Sequence, residues 1–377
     1  MAFQLILILP DSVSGSHNMK KIDWYILRKF LSTFFFSVIL LTVISTVIDM
    51  SEKTDDFVRS GLTSKEIFSQ YYSGFIPYII AFLFPLFVFI SVIFFTSKMA
   101  NQSEFIAILA SGVSLRRILV PYVIGGLLLA GLLWGGNLYI VPRANEKRGA
   151  FETKYVQAPT LDVISRSLYF RLDSFSYCGI HYYDTTTRSG GSFFSETIRD
   201  YQVVYNIRAD NIRWDTAKKL WKMTGVLERK VDATKEDVQY HQELFRKFPF
   251  EPRDLQRDEF VKNRLTSPEL KRMIELEILR GSENVKDLQM EAAHRSATPA
   301  AVVLLTLIGA IIAIRKIRGG SGVHLAIGIF ICAVFILADR FSTIFSTKGN
   351  LNPTLAAWLP IALFGGLTWW LYEKAPK

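Results

Sequence analysis

A chain of 377 residues that is 50% hydrophobic, holds 29 Phe and has a mean hydropathy of +0.23 carries too much apolar sequence for one soluble domain of ordinary balance. Its formal net charge of +10 does not make it a nucleic-acid binder. Residues 143–297 hold 27 Lys/Arg against 24 Asp/Glu, and most of the remaining excess sits in short segments beside apolar runs, which is a membrane-topology signal.

The opening MAFQLILILP is apolar but has no basic start, and SVSGSHN after it lacks a small-residue cleavage pattern, so it is not a signal peptide. Met19-Lys20-Lys21 reads as a natural start, with residues 1–18 as a non-native leader. Six apolar runs then follow near Ile26–Ile48, Tyr72–Ser97, Ile118–Val141, Pro299–Ile314, Val323–Phe345 and Pro353–Tyr372. Each suits a hydrocarbon core that takes about 20 helical residues, the short fourth run if its helix starts earlier, through Met290–Ala297. The layout is residues 19–142 with three spans, an insert over 143–298, and three more spans over 299–377.

Short-loop cations set the orientation. Lys20, Lys21, Arg28 and Lys29, then Lys98, Arg116 and Arg117, then Arg315, Lys316 and Arg318, then Lys374 and Lys377 all fall on one side. Both termini are therefore expected in the cytosol and the insert outside.

Between spans two and three lies SEFIAILASGVSLRR, residues 103–117. Ser103 is placed to cap a helix over 103–112, Glu104 falls in its first turn, Phe105, Ile106, Ile108 and Leu109 share a side, and Gly112 ends it. That spacing suits two arrangements: an interfacial turn lying in the headgroup layer, or a helix inserted in a groove of a soluble partner.

The insert is strand-like over Leu168–Phe175, Gly179–Tyr183, Tyr201–Trp214 and Lys219–Val231, with turn signals at Ser189-Gly190-Gly191 and Asp215-Thr216. Serial short strands predict a sandwich or an open roll. Thr266-Ser267-Pro268-Glu269 combines a capping box with first-turn proline and predicts a helix over Pro268–Arg280, stopped by Gly281, that returns the chain to the membrane. Cys178 and Cys332 sit too far apart in topology for a disulfide framework and show no metal-ligand spacing. His294 and Arg295 form no recognisable catalytic motif, so a structural role at the hinge between insert and bundle is expected.

Four motifs together resemble the LptF/LptG permeases of lipopolysaccharide export. They are Ser103-Glu104 with Ala110-Ser111-Gly112; Val141-Pro142; Glu291-x-x-His294-Arg295-x-Ala297-x-Pro299; and Gly349-x-x-x-Pro353-x-x-Ala356-Ala357-Trp358-Leu359-Pro360. The resemblance covers essentially everything after Met19. It implies a membrane bundle of six transmembrane helices carrying a periplasmic all-β, jellyroll-like domain, in the inner membrane of a Gram-negative bacterium.

The resemblance further implies a half-transporter that binds no cofactor itself and is no enzyme, and the sequence agrees in one respect, for it has no Gly-x-x-x-x-Gly-Lys-Ser/Thr phosphate loop. ATP and Mg would be used by a partner, an LptB-type ATPase dimer gripping Ser103, Glu104, Phe105, Ile108, Leu109, Gly112, Arg116 and Arg117. A paralogous LptF or LptG permease would pair with the chain. Lipopolysaccharide would enter between span one of one permease and span five of the other, then pass to LptC and LptA-type jellyroll proteins. Phe35 and Ile39 on span one and Phe335 on span five are candidate acyl-chain walls, while Lys53, Arg59, Arg340 and Lys348 are candidate phosphate contacts. Asp339 and Arg340 lie inside an apolar span, where charge is costly, and adjacent positions on a helix need separate partners.

One rival is a membrane receptor whose insert binds a ligand; it lacks a cytosolic output domain of its own. A secondary transporter is disfavoured by the absence of duplicated span patterns and the scarcity of mid-bilayer carboxylates.

Overall fold

The computed structural model describes residues 21–156, 163–164, 168–173, 175–184, 187–232, 235–252, 255, 261–280, 284–315 and 321–375. The leader expected over residues 1–18 and the helix stop at Gly281 lie outside the described residues.

Span one is a single helix, α1 (Lys21–Glu52), followed by the short α2 (Thr54–Ser60). Span two starts earlier than its apolar run. Thr63 and Glu66 form a capping box that begins α3 (Ser64–Ile67), and a π turn at Phe68–Tyr72 carries it into α4 (Ser73–Asn101). The segment between spans two and three holds α5 (Glu104–Ala110), and span three starts as α6 (Leu115–Gly135).

The helix does not end at Val141-Pro142. It relaxes into a π turn at Gly136–Ile140, resumes as α7 (Val141–Phe151) with Pro142 in the first turn, and closes in a second π turn through Val156. A proline lacks an N–H and clashes with the preceding turn, and a local widening just ahead of it removes both conflicts. Span three thus runs as a 42-residue helical rod, Leu115–Val156, well past the apolar run.

The insert holds β1 (Val163–Ile164), β2 (Leu168–Arg171), β3 (Ser176–Asp184), β4 (Ser189–Arg199), β5 (Gln202–Asp215), β6 (Leu220–Val231) and β7 (Glu236–Arg246). They pair antiparallel in the order β1-β3-β4-β5-β6-β7, with β2 also on β3. Consecutive hairpins therefore build one meander. Ile180, Phe193, Ile207, Ile212, Trp221, Met223 and Val226 form its buried face, covered by Phe248, Phe250 and Leu255 from the segment after β7. The Trp221 indole donates to the Phe250 carbonyl at 3.0 Å and fixes that cover.

Two strands differ from expectation. Ser189-Gly190-Gly191 is not a turn but the start of β4, where a Cβ on Gly191 would lie 2.2 Å from the Tyr182 ring, so glycine marks a close crossing of side chains. The edge strand β7 has no buried residue, and its short Val238-Gln239-Tyr240 alternation breaks at Leu244-Phe245, so the pattern that signals a half-buried strand is missing.

The chain returns through α8 (Val261–Arg264) and α9 (Ser267–Arg280) to span four, α10 (Val285–Ala313), which does begin ahead of its apolar run. At α9 the Thr266 amide and hydroxyl donate to Glu269 at 2.8 and 2.7 Å, and these bonds hold the Glu269 carboxyl below its ordinary pKa. Spans five and six are α11 (Ser321–Thr347) and α12 (Pro353–Glu373).

Among the described residues six helices are thus long and apolar enough to cross a membrane. Helices α4 and α10 form the centre: α4 packs on α1, α7, α10 and α11, and α10 on α4, α6, α11 and α12. Phe30 of α1, Phe95 of α4 and Tyr122 of α6 stack in the core, and the Tyr122 hydroxyl lies 2.8 Å from Thr96 Oγ1. The outer helices are far less covered. Only 11% of the apolar stretch of α1 and 22% of that of α11 is buried, against 50–56% for spans two, three and four.

Candidate functional site

The end of the bundle that carries α5 also gathers the start of α1 and the end of α12. Ser103 sits at the N-cap with φ 62° and its side chain makes no capping bond to the helix, which corrects the expected cap. Gly112, at φ 84°, takes the left-handed turn that ends the segment, as a glycine without a Cβ readily does. Phe105 is fully buried in the bundle core, and Ile108 and Leu109 pack against the same cluster. Three of the four stripe residues of α5 therefore face their own chain, and Ile106 faces outward. The open face of α5 is Ile106, Ala107, Ala110, Ser111 and Gly112, a mostly small-residue surface that permits close approach.

Polar contacts lock this end. Arg117 pairs with Asp23, a buried carboxylate in the first turn of α1. Glu104 receives the Tyr25 hydroxyl at 3.3 Å and faces Lys29 Nζ at 3.6 Å, with that ammonium also 4.3 Å from the Tyr25 ring. Arg116 donates to the Tyr372 hydroxyl at 2.7 Å, and Arg315 donates to the Lys374 carbonyl. Nothing in the sequence pairs these residues, because they are distant in the chain and meet only after the spans pack.

At the opposite end Lys53 closes α1. Its ammonium lies 2.9 Å from Glu152 and 3.2 Å from Asp49, and it donates to the Tyr71 hydroxyl. Tyr71 in turn donates to Asp49 at 3.0 Å, and Arg148, 3.6 Å from Glu152, stacks on the Tyr78 ring at 3.7 Å. Lys53 is thus the centre of an internal cluster. Arg59 on α2 and Lys348 after α11 are exposed.

Between α4, α7, α10 and α11 lies a cavity of about 470 Å³. Leu83, Leu86, Phe335 and Ile336 supply apolar wall, with Phe335 edge-on to Phe364 at 5.1 Å. Its polar part is His294, whose ring sits 3.0 Å from Thr343 Oγ1 and 3.6 Å from Asp339, together with Arg340 over the Phe82 ring at 5.5 Å. Asp339 and Arg340 do take separate partners. Arg295 reaches Glu291 at 2.9 Å and the carbonyls of Leu265 and Lys262 at 2.8 and 3.0 Å, stapling the chain that leaves the insert onto α10.

Of the residues that sequence singled out, Phe335, Asp339 and Arg340 meet at this cavity, whereas Phe35 and Ile39 lie on the open face of α1 and Lys53, Arg59 and Lys348 lie elsewhere. Tyr78, Asn145 and His294 also line the cavity, beyond the site candidates that the sequence singles out. The spacing of Glu291 and His294, three apart on one helix face, was the available signal. Both cysteines are free and buried, and in the insert burial pushes the Cys178 thiol well up from its usual pKa.

Three spans, an inserted antiparallel sheet and three further spans are the architecture on which the comparisons bear. Residues 24–374 match the family described as lipopolysaccharide export system permease LptF/LptG. The chain belongs to the LptF/LptG family. No curated protein matches it in sequence. As an LptF/LptG permease it is a multi-pass membrane protein for lipopolysaccharide export.

Proposed function

We propose that this permease is one half of an ATP-driven exporter: it pairs with a paralogous LptF or LptG subunit and takes lipopolysaccharide from the outer leaflet of the inner membrane. A separate LptB-type ATPase dimer, using ATP and Mg, supplies the work, and LptC and LptA-type jellyroll proteins receive the glycolipid from the insert. Both termini and α5 face the cytosol, the side favoured by short-loop cations, and the insert faces the periplasm.

The observation that carries this reading is the contrast in burial between the outer and central helices. Phe35 and Ile39 on α1 are 51% and 65% exposed, and Phe330 and Phe341 on α11 are 69% and 59% exposed, which leaves two broad apolar faces for acyl chains and the partner permease. Phe335, Asp339 and Arg340 extend that wall into the cavity, and Arg340, Arg59 and Lys348 are the cations offered to lipid A phosphates. Lys53 contributes by holding the end of α1.

On the cytosolic side the open face of α5 docks the ATPase, with Glu104 at its rim, while Phe105, Ile108 and Leu109 anchor α5 to the bundle. ATP-driven closure of the ATPase then shifts the bundle between states of different affinity for the glycolipid.

The test is photocrosslinking. A photoreactive residue at Phe35 or Phe341, in cells that also make the partner permease and the ATPase, is expected to capture lipopolysaccharide, and one at Tyr201 on the insert surface to capture none from the bilayer. Loss of capture at both span positions would overturn the assignment.

A further inference from the structure

Helix α1 is gripped at both ends by one neighbour. In its first turns Asp23 is closed on by Arg117 of α6, while Tyr25 and Lys29, one turn apart on the same face, hold Glu104 of α5 from two directions. Thirty residues on, Lys53 and Asp49 bind Glu152 and Tyr71, and Glu152 belongs to the same helical rod, Leu115–Val156, that Arg117 begins. Between the clamps the two helices touch closely: a Cβ on Gly125 of α6 would lie 2.6 Å from the Phe30 ring of α1. By contrast α11 packs on α4, α10 and α12.

We propose that Asp23, Tyr25 and Lys29 are positioning residues for transport: Tyr25 and Lys29 tie α1 to α5 and Asp23 ties it to the start of α6, so that a displacement imposed on the coupling segment moves α1 and span three as one body. The proposal rests on the ATP-driven reading above. Its physical content is that Asp23, 4% exposed, is held by Arg117 of α6 and Glu104 of α5 is held by two groups of α1, so α1 cannot lag behind α5 and α6 without giving up the Asp23–Arg117 pair and both Glu104 contacts. The wall of the lateral opening built on α1 is then driven directly from the cytosolic side, whereas α11 is reached only through the central helices.

The test uses the full chain in complex with its partner permease and ATPase. Tyr25→Phe combined with Lys29→Met is expected to keep nucleotide hydrolysis while glycolipid released per ATP falls at least about fivefold, the lower end of ordinary coupling between sites. Asp23→Arg and Arg117→Asp are each expected to lower the same ratio, and the double swap to restore it, which a merely structural loss would not do. Spin labels give the second measurement. With labels at Ile22 and Ser111, both exposed, the distance is expected to stay fixed between nucleotide-free and ATP-bound complexes, while each moves relative to a label at Arg315. Unchanged glycolipid release per ATP in the Tyr25/Lys29 variant, or motion of Ser111 without Ile22, would overturn the proposal. A wild-type complex that hydrolyses ATP but releases no glycolipid would count against the ATP-driven reading instead, and the label distances would still decide whether α1 follows α5.

Discussion

Lys53 and Glu152 stand 99 positions apart in the chain, yet the Lys53 ammonium lies 2.9 Å from the Glu152 carboxylate, with side chains 20% and 15% exposed. The pair joins the far end of span one to the far end of span three. Breaking one partner of a buried pair leaves an uncompensated charge, so Lys53→Met or Glu152→Gln is expected to cost about 3 kcal/mol, read as a lower melting temperature of the purified protein. Lys53→Glu with Glu152→Lys is expected to recover only part, because Asp49 and Arg148 flank the site.

Gly74 opens α4 beneath α7. A Cβ there would meet the Ala144 carbonyl oxygen at 2.5 Å and the Arg148 amide nitrogen at 2.9 Å, both backbone atoms that cannot swing aside. Small residues let membrane helices approach this closely. Gly74→Val is expected to separate α4 from α7 and to cost about 1–3 kcal/mol or more, whereas Gly131→Ala, which meets nothing within 4 Å, is expected to be silent in the same melting assay.

Two neighbours on α5 are expected to part company. Phe105 is 0% exposed in the bundle core, so Phe105→Ala is expected to cost about 3–5 kcal/mol in the isolated chain, with any loss of ATPase following from that. Ile106 is 48% exposed. Ile106→Glu is expected to leave the melting temperature in place and to reduce the ATPase recovered in copurification. The opposite pattern would put the wrong face of α5 at the partner.

Thiol chemistry tests orientation. Cys178 is buried and its thiol is pushed well above the usual range, so little thiolate forms even at pH 9, and maleimide is expected to label it only after denaturation. In a background with both native cysteines replaced by Ala, Tyr201→Cys, at a fully exposed hairpin tip, is expected to react with an impermeant maleimide on intact spheroplasts. Ser111→Cys is expected to react only after the membrane is opened. Reversal of those two would place the insert in the cytosol.

The six spans were legible because length and apolarity decide them, and the early start of α10 was legible in Met290–Ala297. So was the box at Thr266 and Glu269, a local pattern with a local bond. Pro142 in the sequence predicts the end of span three, since a proline usually stops a helix; the π turn ahead of it is a compensation that no residue announces. Gly190 and Gly191 carry a turn signal that is equally what a strand needs where Tyr182 and Ile180 cross it. The clamps Asp23–Arg117, Lys29–Glu104 and Lys53–Glu152 were out of reach because no periodicity links charges on different helices. For that reason Lys53 looked like a free phosphate contact, and the stripe on α5 looked like a partner's surface.

The central claim is that this permease moves lipopolysaccharide with work done elsewhere. It is tested most directly in proteoliposomes that hold the chain, its partner permease and the ATPase, with a jellyroll acceptor outside and glycolipid transfer measured with and without ATP. Transfer is expected only with ATP and an intact ATPase, and the chain alone is expected to hydrolyse none. Equal transfer from vesicles lacking the ATPase, or hydrolysis by the chain alone, would contradict the account.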